Sequence, residues 1–333
     1  MPGEDELIAW LRRRAAAQSA TGTGGELLGD DAAVLPERET WTVSVDTQIE
    51  GVHFLPGLDP ATVAARLVAV NLSDLAAMGA LPAYAFLALA APDGFDHRRF
   101  FKAVLRAARR YGFQLAGGDL AASSQLTAVM TLLGRAARKG RWLRRGGARA
   151  GEALWLGGDV GESGAGAALM SQGATLAAGK VKLPASFIAP PAVRAAARRA
   201  VVRHLAPRPQ LDLGRWLAQA KAGAAIDVSD GLARDLHRLC RESGTGAEID
   251  LESLPMARGF RDLAAALDLN WRQTLLAGGE DYVLLFTLPS GVAPPRELGG
   301  RRIGRVIAGR GVYLIHGERR EPLAPLGWDH LER

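Results

Sequence analysis

Acidic side chains next to glycine or other small residues recur along this chain in five short segments. The segments are LGDDAAVL (28–35), SVDTQIEGVHF (44–54), LAGGDLA (115–121), IDVSDGL (226–232) and AGGEDYVLL (277–285). Glycine lets a backbone approach a ligand closely. Carboxylate oxygens are ligands that suit Mg²⁺, which also binds substrate phosphates. The pattern favours a site in which several acids hold divalent ions beside a phosphorylated ligand.

A sixth acid, Asp74, lies in the segment VNLSDLAAMGA and is the only charged side chain between Leu67 and Pro92. Its spacing places it on one helical face with Val63, Leu67 and Val70. Burying a lone carboxylate is unfavourable unless it is paired, protonated or bound to a metal. The residues alone leave two explanations open for Asp74, an arginine or lysine partner and a bound cation.

Other catalytic and phosphate-binding patterns are absent from the sequence. It contains no HExxH, no pair of cysteines and no G-x-S-x-G. The segment GATLAAGKV (173–181) differs from a Walker A loop, because five residues separate its glycines and no Ser or Thr follows Lys180. Phosphates would then be bound through metals, glycine backbone and arginines.

Composition narrows the class of protein. The chain has 333 residues, a net charge of +6 and a single cysteine, Cys240. One cysteine excludes an internal disulfide framework and is typical of the cytoplasm. Cys240 follows Leu232, Leu236 and Leu239 at helical spacing and is predicted to be a buried filler. We find no signal peptide and no stretch long enough to span a bilayer, so we expect a cytoplasmic protein without a membrane partner.

Arginine is concentrated in two runs. Residues 135–149 hold seven basic side chains, and residues 194–208 hold five arginines with helical spacing. A basic surface is one feature of nucleic-acid-binding proteins. Because no nucleic-acid-binding motif accompanies the runs, we interpret them as solvated surface and expect no nucleic-acid partner.

Strand and helix patterns predict two mixed α/β halves. We predict a strand at 40–45, a long helix starting at Asp59–Pro60, a strand at 83–90, a helix at 96–111 and a strand at 126–134. A first helix is predicted at 4–16, and further elements include a helix near 191–205 and a buried strand at 282–288. The predicted domains are residues 1–137 and 149–333, joined by a basic connecting segment, 138–148.

Taken in order, these segments resemble the thiamine-monophosphate kinase family, within the aminoimidazole ribonucleotide synthetase-like superfamily of ATP-binding enzymes. The resemblance covers almost the whole chain. It is carried by GDDAAVL, SVDTQIEGVHF, VNLSDLAAMGA, GGDL, RRGGARAGE, GESGAGAAL, APRPQLDLG, IDVSDGL, GGEDYVLLF and the terminal GWDHL. It implies ATP-dependent phosphorylation of thiamine monophosphate to thiamine diphosphate with several Mg²⁺ ions. It also implies a homodimer formed by the N-terminal sheets, with each active site in a cleft between two α/β (α+β type) domains.

The resemblance also implies roles for individual positions. Those implied to bind Mg²⁺ are Asp30, Ser44, the main chain of Val45, Asp46, Asp74, Asp119, Asp227 and Asp230. Those implied to bind ATP are Gly118, Asp119, Arg145 and Ser229. Those implied to contact thiamine monophosphate are His53, Glu280 and Trp328. The acids expected to be catalytic are Asp46, Asp74, Asp119 and Asp227. Supporting positions are Asp31, Asn71 and Asp281.

Two departures from the family pattern lie at the first two acidic segments. Leu27–Leu28 stands where Gly-Ile often precedes GDD, and Val45 stands where a threonine is common. A backbone contact from position 45 would survive that change, whereas a hydroxyl contact would not. Neither departure removes a carboxylate.

Two other functional classes remain to be weighed. One is another enzyme of the superfamily, similar to selenophosphate synthetase or a hydrogenase-maturation protein. These usually need a reactive cysteine near one terminus, and Cys240 lies mid-chain. The other is a basic nucleic-acid-binding protein with a degenerate kinase fold, which the complete set of acids argues against.

Overall fold

A computed structural model describes residues 33–35, 40–137, 141–177 and 179–329 of the chain. Within them the predicted mixed α/β architecture is confirmed, with one large sheet in each half of the chain. The helix predicted at 4–16 and the acids Asp30 and Asp31 lie outside the described residues. Among the described helices, none has the length and apolar character needed to cross a bilayer.

The first half is a five-stranded sheet with two helices. Its strands are β1 (Ala33–Leu35), β2 (Trp41–Ile49), β3 (Ala80–Ala91), β4 (Gln114–Ala122) and β5 (Thr127–Ala136), and its helices are α1 (Pro60–Ala77) and α2 (His97–Tyr111). The strand order is β1-β2-β5-β3-β4, and only the β3–β4 pair is parallel. Both helices pack on the sheet through one apolar core. This half therefore has a covered face and an outer face.

Helix α1 starts where the sequence predicts. Pro60 stands in the first turn, where its missing N–H costs nothing. Asp59 precedes it, but its carboxylate contacts Arg99 instead of capping the helix. The helix ends before Gly79, whose φ of +63° is a backbone conformation that favours glycine. Thirteen of the 18 residues are buried, so α1 is a core helix on nearly all sides.

The second half is a seven-stranded sheet with an associated hairpin and six helices. Its strands are β6 (Ala153–Leu156), β9 (Ala225–Asp227), β10 (Gly246–Asp250), β11 (Leu284–Leu288), β12 (Arg301–Ile307), β13 (Val312–His316) and β14 (Arg319–Pro322), in the order β14-β13-β10-β12-β6-β11-β9. Strands β7 (Thr175–Ala177) and β8 (Lys180–Lys182) form the hairpin. The helices are α3 (Glu162–Ser171), α4 (Pro191–Leu205), α5 (Leu211–Ala220), α6 (Leu232–Ser243), α7 (Phe260–Ala266) and α8 (Trp271–Ala277), and two short 3₁₀ turns span Leu251–Ser253 and Arg296–Leu298.

The two halves meet where α1 packs against α5. A Cβ added to Gly214 of α5 would stand 2.0 Å from the carbonyl oxygen of Ala76 in α1, so only glycine permits this approach. Leu213 and Leu217 join Ala76 in a buried apolar cluster that also contains Phe286 of β11. The packing fixes α1, which carries Asp74, against the second half.

Two of the predicted site acids lie inside strands. Asp46 is in β2 and Asp119 is in β4. Strand β2 continues to Ile49, beyond the predicted end at residue 45, because its residues pair with β5 along their full length.

Candidate functional site

A cavity of about 560 Å³ lies between the two halves and collects most of the predicted site residues. The predicted residues that line it come from β2 and its following loop, from α1, and from four segments of the second half. They are Asp46, His53, Asp74, Arg145, Asp227, Ser229, Asp230, Glu280 and Trp328. Five carboxylates, which span more than 230 positions of the chain, thus face one space beside an arginine and an indole ring.

Two neighbouring side chains of α1 connect the acids of both halves. The Ser44 hydroxyl of β2 donates a hydrogen bond to the carboxylate of Asp74. The preceding residue, Ser73, donates a 2.6 Å hydrogen bond to the buried carboxylate of Asp227 at the end of β9. Helix α1 therefore contacts β2 through Asp74 and the end of β9 in the second half through Ser73.

Strand register separates Asp119 from this group. Asp46 pairs with Met130, Met130 with Leu87, and Leu87 with Gly118. Three strand spacings of about 4.8 Å place Asp46 and Gly118 about 14 Å apart. Gly118 and Asp119 lie on the exposed edge strand β4 and do not line the cavity. The side chain of Val45 is 59% exposed and also lies outside it.

The loop after β9 is held by a buried acid that the sequence analysis missed. One oxygen of Asp235 accepts hydrogen bonds of 3.1 Å from the backbone N–H groups of Ser229 and Asp230. Its other oxygen lies 3.1 Å from Arg238, which also pairs with the Asp230 carboxylate. Burial, followed by the nearby Asp230 charge, raises the pKa of Asp235 to about 7. This network fixes the backbone that presents Ser229.

Arg145 reaches the cavity from a loop anchored to the end of α6. The Ser243 hydroxyl donates to the Arg145 carbonyl at 3.0 Å and accepts from the N–H groups of Gly147 and Ala148. A Cβ on Gly146 would stand 2.7 Å from the Glu242 carbonyl oxygen, so this loop also depends on glycine. The basic segment thus contributes a positioned guanidinium to the site.

Glu280 and Asp281 are neighbours with different tasks. Glu280 has a φ of +56° and lines the cavity. Asp281 is buried and accepts hydrogen bonds from the N–H groups of Gly161 (2.7 Å) and Ser163 (3.2 Å) at the start of α3. Burial raises the pKa of Asp281 to about 6. Asp281 therefore caps the start of α3.

A buried arginine of α1 contacts Glu280 from across the junction. The guanidinium of Arg66 pairs with the Glu280 carboxylate and donates to Gln48 Oε1 at 3.0 Å and to the carbonyl oxygen of His204. The Nδ1 atom of His204 lies 3.2 Å from the second oxygen of Glu280. Burial and the Arg66 charge lower the pKa of His204 to about 3, so its imidazole is neutral.

His53 and Trp328 occupy the cavity wall in fixed loops. The Nδ1 atom of His53 accepts a 3.0 Å hydrogen bond from the Ile49 N–H, which leaves the proton of a neutral ring on Nε2. The backbone N–H of Trp328 donates to the Asp230 carbonyl at 2.8 Å, while Trp328 is 56% exposed. Next to it, Asp329 pairs with Arg234 at 2.9 Å. These contacts hold the GWD segment against α6.

The cavity offers oxygen ligands without forming a complete cage. Within the described ranges, no three His, Cys, Asp or Glu side chains lie close enough together to hold one metal ion. Asp46, Asp74 and Asp227 face the same space from different strands and from α1. Such hard oxygens fit Mg²⁺, which usually keeps waters and is completed by substrate phosphates.

The reactive-cysteine alternative finds no support in the structure. Cys240 is 3% exposed, and burial raises the pKa of its thiol to about 12. A thiol with that pKa is not a nucleophile at neutral pH. The prediction that Cys240 is a buried filler is confirmed.

Sequence reasoning overlooked Arg66, His204, Asp235 and Arg238. Arg66 did carry a signal, because it is the last charged residue before the uncharged stretch that surrounds Asp74. Its partner Glu280 lies 214 positions away, and no local pattern connects them. Asp235 and Arg238 carry ordinary helix-surface spacing, so their burial comes only from the fold.

Comparison with known proteins identifies the family to which this chain belongs. Residues 29–136 match the family model of the AIR synthase related protein N-terminal domain, and residues 149–317 match that of its C-terminal domain. The chain therefore belongs to the AIR synthase related proteins.

More specific relatives refine that class. Thiamine-monophosphate kinase of Salmonella typhimurium is 37% identical over 86% of this chain and 83% of its own length. A solved structure of AaThiL complexed with AMPPCP and TMP superposes with a TM-score of 0.83 at 30% identity, covering 99% of this chain and 97% of that one. The thiamine-monophosphate kinase from Stenotrophomonas maltophilia K279a gives 0.71 at 32% identity, with 93% and 96% covered. The chain is a member of the thiamine-monophosphate kinase family.

Proposed function

We propose that this protein transfers the γ-phosphoryl group of ATP directly to the phosphate of thiamine monophosphate. The reaction forms a bond between an acceptor phosphate oxygen and the γ-phosphorus, breaks the bond from that phosphorus to the β-bridging oxygen, and releases ADP and thiamine diphosphate. The observation that carries the proposal is the convergence of acids from both halves on one cavity with Glu280 and Trp328. Relatives named thiamine-monophosphate kinase support the choice of substrate.

The acceptor chemistry explains why no strong base is needed. The phosphate oxygens of thiamine monophosphate are already deprotonated and nucleophilic at neutral pH. The obstacle is repulsion between two anions, and phosphoryl transfer depends mainly on positioning and charge neutralisation. Arg145 supplies a guanidinium on the cavity wall for the ATP phosphates, and the fixed backbone at Ser229 supplies a nucleotide contact.

The opposite part of the cavity suits a cationic heterocycle. Glu280 contributes a carboxylate, and Trp328 contributes an exposed indole face. A thiazolium ring can stack on an indole through cation–π attraction. His53, on the adjacent loop, completes the proposed substrate contacts.

Asp46, Asp74 and Asp227 are the residues we propose to hold Mg²⁺ in the cavity, with Ser44 orienting Asp74. Bound Mg²⁺ would offset the charge of the phosphates and align the two substrates. Asp230 is already paired with Arg238. Its proposed metal contact would therefore use the part of the carboxylate that does not contact Arg238. Asp30 belongs to the same proposal and lies outside the described residues.

We propose a homodimer in which Gly118 and Asp119 serve the cavity of the partner chain. Their distance from Asp46 prevents Asp119 from sharing one ion with it inside a single chain. The outer face of the first sheet exposes Val45, Leu81 and Phe86, an apolar surface suited to burial against a second copy. The proposed location is the cytoplasm, as predicted from the sequence.

The proposal is tested by ADP release in a coupled assay. Thiamine monophosphate, thiamine and aminoimidazole precursors are compared at equal concentration with ATP and Mg²⁺. We expect ADP only with thiamine monophosphate, together with a stoichiometric amount of thiamine diphosphate. Turnover of free thiamine alone, or of an aminoimidazole precursor alone, would overturn the substrate assignment.

A further inference from the structure

Glu280 is held by two groups that no local sequence pattern connects to it. Arg66 engages one carboxylate oxygen, and His204 Nδ1 lies 3.2 Å from the other. The Arg66 side chain is 0% exposed, whereas the Glu280 side chain is 30% exposed. The positive member of the pair is therefore buried, and the negative member faces the cavity.

The surroundings of Arg66 leave its guanidinium one orientation. Its Nε donates to Gln48 Oε1 at 3.0 Å, and its two terminal nitrogens contact the His204 carbonyl oxygen and Glu280. These acceptors come from β2, from α4 and from the loop after α8. A planar fork held at each of its three nitrogens has a defined orientation, and lysine could not reproduce it.

His204 does not cancel the Glu280 charge. Its imidazole is neutral because burial and Arg66 lower its pKa to about 3. The hydroxyl of Ser163 lies 3.3 Å from the same Nδ1 atom and helps to fix the ring. The positive charge that this network brings to the Glu280 carboxylate therefore comes from Arg66 and not from His204.

Arg66 and Asp74 belong to the same rigid helix. Eight residues at 1.5 Å each separate them by about 12 Å along the α1 axis, and i, i+8 positions share one face. Asp74 faces the part of the cavity proposed for phosphates, and Arg66 contacts the acid proposed for the heterocycle. A shift of α1 would move both ends of the site together.

We propose that Arg66 is a positioning residue for substrate specificity, which fixes the Glu280 carboxylate toward the cavity so that it recognises the cationic part of the substrate. This inference rests on the proposed function for the identity of that cation. Arg66 acts through Glu280 and does not itself face the cavity, since it is fully buried and is absent from the lining. Helix α1 then couples recognition of the heterocycle to placement of the phosphates.

The test compares Arg66→Met, Arg66→Lys and Glu280→Gln with the wild type in steady-state kinetics. Loss of a charge-assisted contact of about 1.5–3 kcal/mol corresponds to roughly a 10- to 100-fold change. We expect Arg66→Met to raise KM for thiamine monophosphate by that factor and to change KM for ATP less than threefold. Arg66→Lys should recover part of the loss, because it restores the charge without the fork.

A double variant separates positioning from general damage. If Arg66 acts through Glu280, combining Arg66→Met with Glu280→Gln should raise KM little beyond the larger single effect. The matched control is Arg305→Met, which removes an exposed arginine from a 2.7 Å ion pair with Glu248 outside the cavity, and it should leave both KM values unchanged. Additive effects, or equal changes in KM for both substrates, would overturn the proposal.

A binding measurement makes the outcome independent of turnover. Quenching of tryptophan fluorescence by free thiamine, without ATP, should weaken in Arg66→Met and less so in Arg66→Lys. Unchanged thiamine binding in both variants would refute the role of Arg66 even if the enzyme is active. A wild type that binds thiamine but does not phosphorylate its monophosphate would refute the proposed function instead. If Arg66→Met does not fold, thiamine binding by Arg66→Lys is compared with that of the wild type, and unchanged binding refutes the role of Arg66.

Discussion

The Ser73 hydroxyl donates a 2.6 Å hydrogen bond to the buried Asp227 carboxylate and thereby joins α1 of the first half to β9 of the second. Both side chains are almost completely buried, so the bond is shielded from bulk water. The acid that ends β9 is therefore oriented by the residue next to Asp74. One turn of α1 sets the position of carboxylates from both halves.

Replacing Ser73 with alanine should weaken both stability and activity. A buried carboxylate left without its donor is destabilising by about 1–3 kcal/mol. We expect a loss of that size in the free energy of unfolding, measured by urea titration, together with a higher Mg²⁺ concentration for half-maximal activity. The control is Ser253→Ala, which removes a bond of equal length, 2.6 Å, to the half-buried Asp250. Equal losses in the two variants would contradict a special role for Ser73.

Replacing Asp74 with asparagine should stop turnover without unfolding the chain. Asparagine has nearly the same shape and can still accept a hydrogen bond from Ser44, but it lacks the charge that a cation requires. We expect kcat to fall by about 10²–10³, the loss typical of one electrostatic contact at a reacting centre. The circular dichroism spectrum and the melting temperature should stay close to those of the wild type. Activity equal to that of the wild type at the same Mg²⁺ concentration would exclude Asp74 as a metal ligand.

The Asp281 carboxylate should make stability depend on pH in mildly acidic solution. Burial raises its pKa from 3.8 to about 6 in the folded chain, so the folded state favours the protonated form. Its contribution to stability is fully present below about pH 4 and is lost as the pH rises through about 6. Two pKa units correspond to about 3 kcal/mol.

The measurement compares the wild type with Asp281→Asn by urea unfolding from about pH 4 to about pH 7. We expect the wild type to lose stability relative to the variant across this range. Asp262→Asn serves as the control, because Asp262 is an exposed acid in the first turn of α7 and should show no such trend. A difference that is constant with pH would show that Asp281 is ionised without penalty.

Local sequence patterns were sufficient to predict the helices that carry or support the site. Proline at the first turn and a glycine after the last turn mark α1, and its apolar stripe gives its buried face. The helix predicted near 191–205 is observed as Pro191–Leu205. These signals are short-range, because caps and periodicity depend on residues within a few positions of each other.

Long-range geometry explains what the sequence could not predict. Asp46 and Asp119 have similar neighbours, but sheet register places one at the cavity and the other at an edge strand. Glu280 and Asp281 are adjacent, yet one faces the cavity and the other caps α3. The pairing of Arg66 with Glu280 depends on the packing of α1 against the second half. No sequence pattern in either segment predicts that packing.

The last prediction concerns Asp119, which lies about three strand spacings from Asp46 in the same chain. If Asp119 serves the partner chain, a heterodimer of Asp119→Asn and Asp227→Asn chains contains one site with both acids intact and one site with neither. We expect each homodimeric variant to be inactive and the purified heterodimer, isolated with two affinity tags, to regain about half of the activity per dimer. If Asp119 acted within its own chain, both sites of the heterodimer would lack one acid. The control is Asp159→Asn, since Asp159 also follows two glycines but is exposed and lies outside the cavity. An inactive heterodimer, or a chain that is monomeric in solution, would overturn the shared site.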